Sequence, residues 1–302
     1  MKENNSFSDA IILIILVIAS ILTTKITKPL YLNKINPYQF SGLRAFEYVS
    51  AQVKMGPRIP GSIAHKEIVK WIKSSLTKAG WKTTYQIGGP KGFEFINIIG
   101  KRSNSVPQIL IAAHYDTRIF ADKDQNPNLR ANPVPGANDG ASGVAVLLEL
   151  ANTIPKTDNI WLVFLDGEDN GGISGWDWIS GSRYFVSQLV RKPRKVIILD
   201  MVGDRDLNIF IERNSDPRLS QELWTSAENL GYGPFFIDRP KYAIIDDHIP
   251  FIENGISAID IIDFDYPYWH TSKDTLDKVS PKSLFVVGNI LLDWIKHQNF
   301  LE

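Results

Sequence analysis

Cysteine is missing from the chain altogether. That excludes disulfides and thiol catalysis, and any transition metal must be held by histidine and carboxylate. Histidine is scarce, with five residues, so each can be weighed singly. Neither sign of charge is in excess, 33 basic against 33 acidic residues, and no basic stripe is visible, so nucleic-acid binding has no support. There are no repeats, which excludes solenoids. What is present, 302 residues of which 44% are hydrophobic, suffices for one large α/β domain with a substantial core.

One long apolar run stands near the start, at residues 10–24. It is at the short end of a membrane span, which needs about 17–25 residues. No small-x-small cleavage site follows it, so it reads as an uncleaved single-pass anchor rather than a cleaved secretory signal. We expect an anchor segment over 1–28, a linker over 29–40 and a folded domain over 41–302. Lys2 is offset by Glu3 and Asp9, while Lys25, Lys28 and Lys34 follow the run, so the flanking charges specify orientation weakly.

The rest of the chain is organised around Leu162-Val-Phe-Leu-Asp-Gly-Glu168-Asp169. Large apolar and β-branched residues run together here without helical spacing, which predicts a buried strand. Gly167 turns the backbone, and Glu168 and Asp169 sit just past the carboxyl end, the edge where open α/β sheets bind ligands. In isolation the dipeptide reads as a solvated turn, since acids are common in turns, and the other strand ends must carry the site. Further strands are predicted over 95–99, 108–113, 195–199, 207–211 and 256–262, and helices over 41–55, 64–79, 144–154, 182–189, 217–230 and 281–296, with a short one opening at Asp246 and closed by Gly255. The alternation predicts a mostly parallel twisted central sheet with helices on both faces.

Polar residues of a few types recur where those strands end: His114 and Asp116, Glu168 and Asp169, Asp200. Asp139 follows a Gly-rich turn, and His270 follows the last strand. Parallel strands bring such ends into one cleft, where gathered carboxylates repel and a cation is the simplest neutraliser. Asp139, Asp169 and His270 offer two oxygens and one nitrogen, and catalytic zinc commonly takes three protein ligands plus an open position. By contrast, Asp122, Asp124, Asn126 and Asn128 alternate like a calcium loop, but Pro127 stands where that motif needs glycine and no glutamate closes it.

The pieces His114-Tyr-Asp116-Thr, Gly136-Ala-Asn-Asp139-Gly-Ala-Ser-Gly, Phe164-Leu-Asp-Gly-Glu168-Asp169, Leu199-Asp200-Met, Asp246-Asp-His-Ile-Pro-Phe251 and Tyr268-Trp-His270-Thr resemble, in that order, the zinc-dependent glutaminyl cyclases and their relatives, the co-catalytic di-zinc aminopeptidases. The first four are common to both branches. The last two, with Arg58-Ile-Pro-Gly-Ser62 and Gly181-Ser-Arg183, lean towards the cyclases. The resemblance implies a zinc aminopeptidase-like fold from Arg58 onwards. It implies one zinc on Asp139, Asp169 and His270, with Glu168 as acid/base, Asp200 and Asp246 as its hydrogen-bonding partners and Trp269 as a pocket wall. The implied reaction converts an N-terminal glutamine of a peptide or protein to pyroglutamate and releases ammonia. The peptidase branch implies a second zinc on His114, Asp139 and Asp200 and removal of N-terminal residues. With the anchor, the catalytic domain is expected outside the cytoplasm, or secreted if the anchor is cleaved. The chain departs from the pattern at Asp169, where glutamate is commoner and reaches further.

Plainer readings exist for several residues. Asp246 or Asp247 suits a helix cap, and Trp269 suits core packing. Trp176 and Trp178 are pocket walls or loop anchors. His65 and His297 read as exposed helix residues, His248 as structural, and Asp116 as the partner of His114.

Overall fold

Four strands carry the molecule, and their composition explains their place. β3 (Ile109–His114), β4 (Ile160–Leu165), β5 (Lys195–Asp200) and β8 (Ser257–Ile262) are almost wholly buried, as strands covered on both faces must be. The computed structural model describes residues 39–156, 159–298 and 300. The apolar run at 10–24 lies outside them, and among the described residues no helix is long and apolar enough to cross a membrane.

With β1 (Lys82–Gly88) and β2 (Phe95–Lys101), the sheet runs β1-β2-β4-β3-β5-β8. β4, β3, β5 and β8 are parallel neighbours, so their carboxyl ends share one edge. The sheet is nevertheless mixed, where the sequence suggested a mostly parallel one. β2 pairs antiparallel with β4, and β1 antiparallel with β2. β1 is a half-exposed edge strand of Lys, Thr, Tyr and Gln, which carries no apolar run to find. The strand expected over 207–211 is shorter, β6 (Ile209–Ile211). It leaves the main sheet and pairs with β7 (Phe236–Pro240), a strand not expected from sequence.

Alternate strand residues face two separate cores. On one side Ile111, Leu162, Ile197 and Ile259 pack with α1 (Gly42–Met55), α2 (Ile63–Lys78), α3 (Ala141–Thr153), α5 (Pro217–Asn229) and α7 (Pro281–Lys296). On the other, Leu110, Val163, Val196 and Ala258 pack with Phe185 of α4 (Ser180–Ser187) and Phe251 of α6 (Ile249–Glu253). Helices therefore cover both faces, as expected. Ser41 and Ser62 cap α1 and α2 by accepting the Arg44 and His65 backbone N–H groups. α3 is buried nearly all round, so it lies inside the domain rather than on it. It approaches β5 so closely that a Cβ on Gly143 would stand 2.3 Å from the Leu199 carbonyl oxygen.

Candidate active site

Turns that few residues can make place each acid. Gly136 and Gly140 bracket Asp139 with φ of 68° and 82°. A Cβ on Gly136 would lie 2.3 Å from the Thr117 methyl, and one on Gly140 2.9 Å from the Asp116 carbonyl oxygen. Gly167, φ 69°, turns the chain from β4 into Glu168. Among the described residues, three that are not glycine also have positive φ: Ile179 (53°), Met201 (46°) and His270 (55°). Met201 follows Asp200 and Ile179 follows Trp178. Such backbone costs about 1–3 kcal/mol per residue and persists where the surroundings over-determine it, commonly at functional sites.

His270 Nε2 lies 2.7 Å from Asp169 Oδ1 and 3.7 Å from Asp139 Oδ2. His114 Nε2 lies 3.2 Å from Asp139 Oδ1 and 3.1 Å from Asp200 Oδ1. Asp139 thus belongs to two buried triads, Asp139–Asp169–His270 and His114–Asp139–Asp200, in each of which candidate ligand atoms lie within 4.8 Å of one another. Asp139 Oδ2 and Asp169 Oδ2 are buried with no hydrogen-bond donor from the protein. Leaving carboxylate oxygens in that state is costly, and a cation supplies what the chain withholds. Two oxygens and one imidazole nitrogen form a donor set that suits zinc.

The surrounding groups orient these side chains. Asp122 Oδ1 stands 3.6 Å from His270 Nδ1, close enough for its charge to act on the ring but too far for a hydrogen bond. Asp116 lies 3.5 Å from His114 Nδ1, as expected for its partner. It also accepts the backbone N–H groups of both Glu168 and Asp169 at 3.2 Å, so one carboxyl sets a ring on one strand end and the acidic pair on the next. Arg118 chelates Asp122 and donates to the Asp169 carbonyl at 2.8 Å. Arg58 is fully buried and donates to the carbonyls of Tyr115, Pro135 and Gly136.

A cavity of about 180 Å³ brings together Glu168, Asp200, Asp246, Trp269 and the first triad, with Trp178, Phe264 and Ile245 also lining it. Burial raises the Glu168 carboxyl well above its usual range, and Asp246, Asp169 and Asp247 add to this against the pull of His114. Burial likewise lifts Asp169 to about 6, with Asp139 next in effect, and lifts Asp200 to about 7 against the hydrogen bond from His114. Burial opposes charge on the His114 ring, but Asp116, Asp139 and Asp200 outweigh it and raise its pKa well above normal. The field that holds a proton there also favours a cation.

The sequence profile of peptidase family M28 matches residues 97–295, through every strand end that carries one of these groups. The chain belongs to peptidase family M28. Among solved structures, a Bacteroides thetaiotaomicron glutaminyl cyclase bound to N-acetylhistamine superposes with a TM-score of 0.81 at 33% identity, covering 86% of this chain and 99% of that one. A leucine aminopeptidase precursor from the same organism superposes with a TM-score of 0.81 at 33% identity, over 88% and 100%. The glutaminyl-peptide cyclotransferase of Boiga irregularis is 26% identical, over 78% of this chain and 75% of its own length.

Other residues of this M28 chain differ from their expected places. His65 is not exposed. It is 3% accessible, and its Nε2 lies 2.8 Å from Asp166 Oδ2, because position 65 shares the inward face of α2 with Ile68 and Ile72. Neither Asp246 nor Asp247 caps a helix, since α6 begins after His248 with no side-chain cap. His248 is buried, 3.1 Å from Glu212 Oε2 and 3.9 Å from Asp260 Oδ2. His297 is exposed, as expected. Trp176 packs edge-on against Phe93, away from His270, whereas Trp178 lies parallel to His270 at 6.1 Å and walls the pocket. Asp274, Asp122 and Arg118 carry structural weight that no strand-end pattern announced.

Proposed function

We propose that the chain is a glutaminyl-peptide cyclotransferase acting on N-terminal glutamine. The observation that carries this is Glu168: a buried carboxyl with a raised pKa, in a small aromatic-lined cavity beside a carboxylate–histidine triad. The likeness to bacterial glutaminyl cyclases over nearly their whole length supports it.

Asp139, Asp169 and His270 would hold a zinc ion, which would supply Lewis-acid polarisation of the substrate's side-chain amide carbonyl. The substrate's α-amine attacks that amide carbon, a C–N bond forms within the residue, and ammonia leaves. Glu168 takes the proton from the amine and returns it to the departing nitrogen, work suited to a carboxyl whose pKa burial raises above its ordinary range. Asp200 and Asp246 line the same cavity as its partners. Nucleophile and electrophile share one residue, so the pocket's main task is to hold a compact five-membered geometry. Trp178 and Trp269 restrict water, which would otherwise hydrolyse the same amide.

The second reading, a di-zinc aminopeptidase, is favoured by the His114–Asp139–Asp200 triad. Incubating the protein with Gln-initiated and Leu-initiated peptides separates the two. Ammonia and pyroglutamate mark the cyclase, and a released amino acid marks the peptidase. Zinc per protein, one against two, gives a second comparison. We further propose that the 10–24 run tethers the enzyme to a membrane with its catalytic domain outside the cytoplasm.

A further inference from the structure

The outer face of α2 joins apolar and basic side chains. His65, Ile68, Val69, Ile72 and Leu76 turn inward and are buried. The opposite stripe, Ile63, Lys66, Lys70 and Lys73, is exposed, and spacings of three and four residues set these side chains one above the other. Ile63 is 81% exposed. With Met55 at the end of α1, Ala64 and the half-buried Trp71, it forms the apolar part of a groove of about 390 Å³ that Glu67 and Lys70 also line. Tyr48 of α1 meets the Trp71 ring edge-on at 5.9 Å and steadies it.

Charge says what covers this face. The whole chain balances 33 basic against 33 acidic residues, but α1 and α2 expose five lysines, Lys54, Lys66, Lys70, Lys73 and Lys78, against two acids, Glu47 and Glu67. Glu67 lies 3.2 Å from Lys70, and Arg44 is taken by the buried Glu149. The Lys73 ammonium also stands 5.6 Å from the ring of Tyr85, an exposed aromatic of β1. A polyanion in solution uses lysines alone. Lysines around an exposed isoleucine and a tryptophan suit an anionic bilayer, with ammoniums among the headgroups, indole at the interface and apolar atoms beyond it. The groove and the catalytic cavity share no lining residue, so contact here uses none of the cavity's walls.

We propose that the α2 face bearing Ile63, Lys66, Lys70 and Trp71 rests on the anionic surface of the membrane to which residues 10–24 tether the chain. This rests on the tether proposed above and is independent of the reaction. Seventeen residues, 25–41, separate the run from α1, and a chain of that length reaches at most about 60 Å. The 14 residues of α1 span about 21 Å, so the groove at the far end of α1 is within reach. Each lysine brought near an anionic surface strengthens attachment roughly 5-fold.

The chain has no cysteine, so Ile63→Cys accepts a single environment-sensitive label, and Val190→Cys, 96% exposed and outside the groove, accepts the control. The full chain is reconstituted into vesicles of phosphatidylcholine and of equimolar phosphatidylcholine and phosphatidylglycerol. Flotation reads the tether and the label reads the face. The protein floats with both vesicles, and the ratio of bilayer-bound to free label at position 63 is about 10-fold or more higher in the anionic ones. That ratio falls in high salt and in the combined Lys66→Glu and Lys70→Glu variant, while the label at position 190 stays free throughout. The salt measurement leaves the lysines unchanged, so it decides the matter if the charge-reversed protein fails to fold. An equal ratio in the two vesicles overturns the face and leaves the tether, as does a change at position 190 that matches the one at 63. Flotation with neither vesicle overturns the tether and the face together.

Discussion

Asp274 holds Asp139 from behind. Its Oδ2 accepts the Asp139 backbone N–H at 3.1 Å, while Oδ1 accepts that of Asn138 at 2.8 Å and the Tyr266 hydroxyl at 2.6 Å. Burial lifts this carboxyl to about 7, with the Asp139 charge next in effect. In Asp274→Asn one oxygen becomes an amide, and whichever way the side chain turns a donor meets a donor. We expect a cost of about 1–3 kcal/mol and a loosened Asp139. Zinc competition against a chelator reads it as weaker binding, and unchanged affinity would detach Asp274 from the metal loop.

Conservative amidation separates the two members of the Glu168–Asp169 pair. Glu168→Gln leaves both triads complete, so zinc should stay bound while turnover falls by about 100-fold or more. Asp169→Asn replaces an anionic ligand by a weak neutral one, so occupancy should fall and activity should partly return with added zinc. Metal content and rate, measured on both proteins together, decide it. The reverse pattern would exchange the two roles.

The His65–Asp166 pair predicts a pH dependence of stability. Burial lowers the His65 pKa, but the hydrogen bond and charge of Asp166 outweigh it and the net direction is up. A raised histidine adds stability that is fully present below its unfolded value of about 6.5 and is lost as pH climbs through the folded value. Asp166 is itself raised, by burial first, and its contribution also declines with rising pH. In His65→Gln the imidazole part vanishes. The melting-temperature gap between wild type and variant should therefore be widest below pH ~6.5 and narrow above it. A gap that widens with pH contradicts the sign.

Membranes from cells making the full chain provide the test of residues 10–24. Their length and apolarity should keep the protein in the pellet after alkaline carbonate washing. Intact protein in the supernatant would leave the run as a signal or a soluble segment.

The strand ends were readable because each follows an apolar run that stops on a charged residue: Ala113 to His114, Leu165 to Glu168, Leu199 to Asp200. Parallel neighbours then had to gather them. β1 and β7 escaped because edge strands need not be apolar. Asp274, Asp122 and Arg118 escaped for another reason: the strand-end and loop residues near the triads that they meet, Asp139, His270 and Asp169, lie far away in sequence, and a loop residue shows no period. His65 was legible in principle, one face with Ile68 and Ile72, but the lysines of α2 drew it outward.

Asp139 serves both triads, and this shapes any binding isotherm. A cation entering between His114 and Asp200 leans on the carboxylate already shared with one between Asp169 and His270. Two like charges drawing on one anion weaken each other, so the second equilibrium constant falls below what an isolated triad would give. Were both triads to load, they would do so in two unequal steps, and the count of ions found would depend on the free concentration at which it is taken.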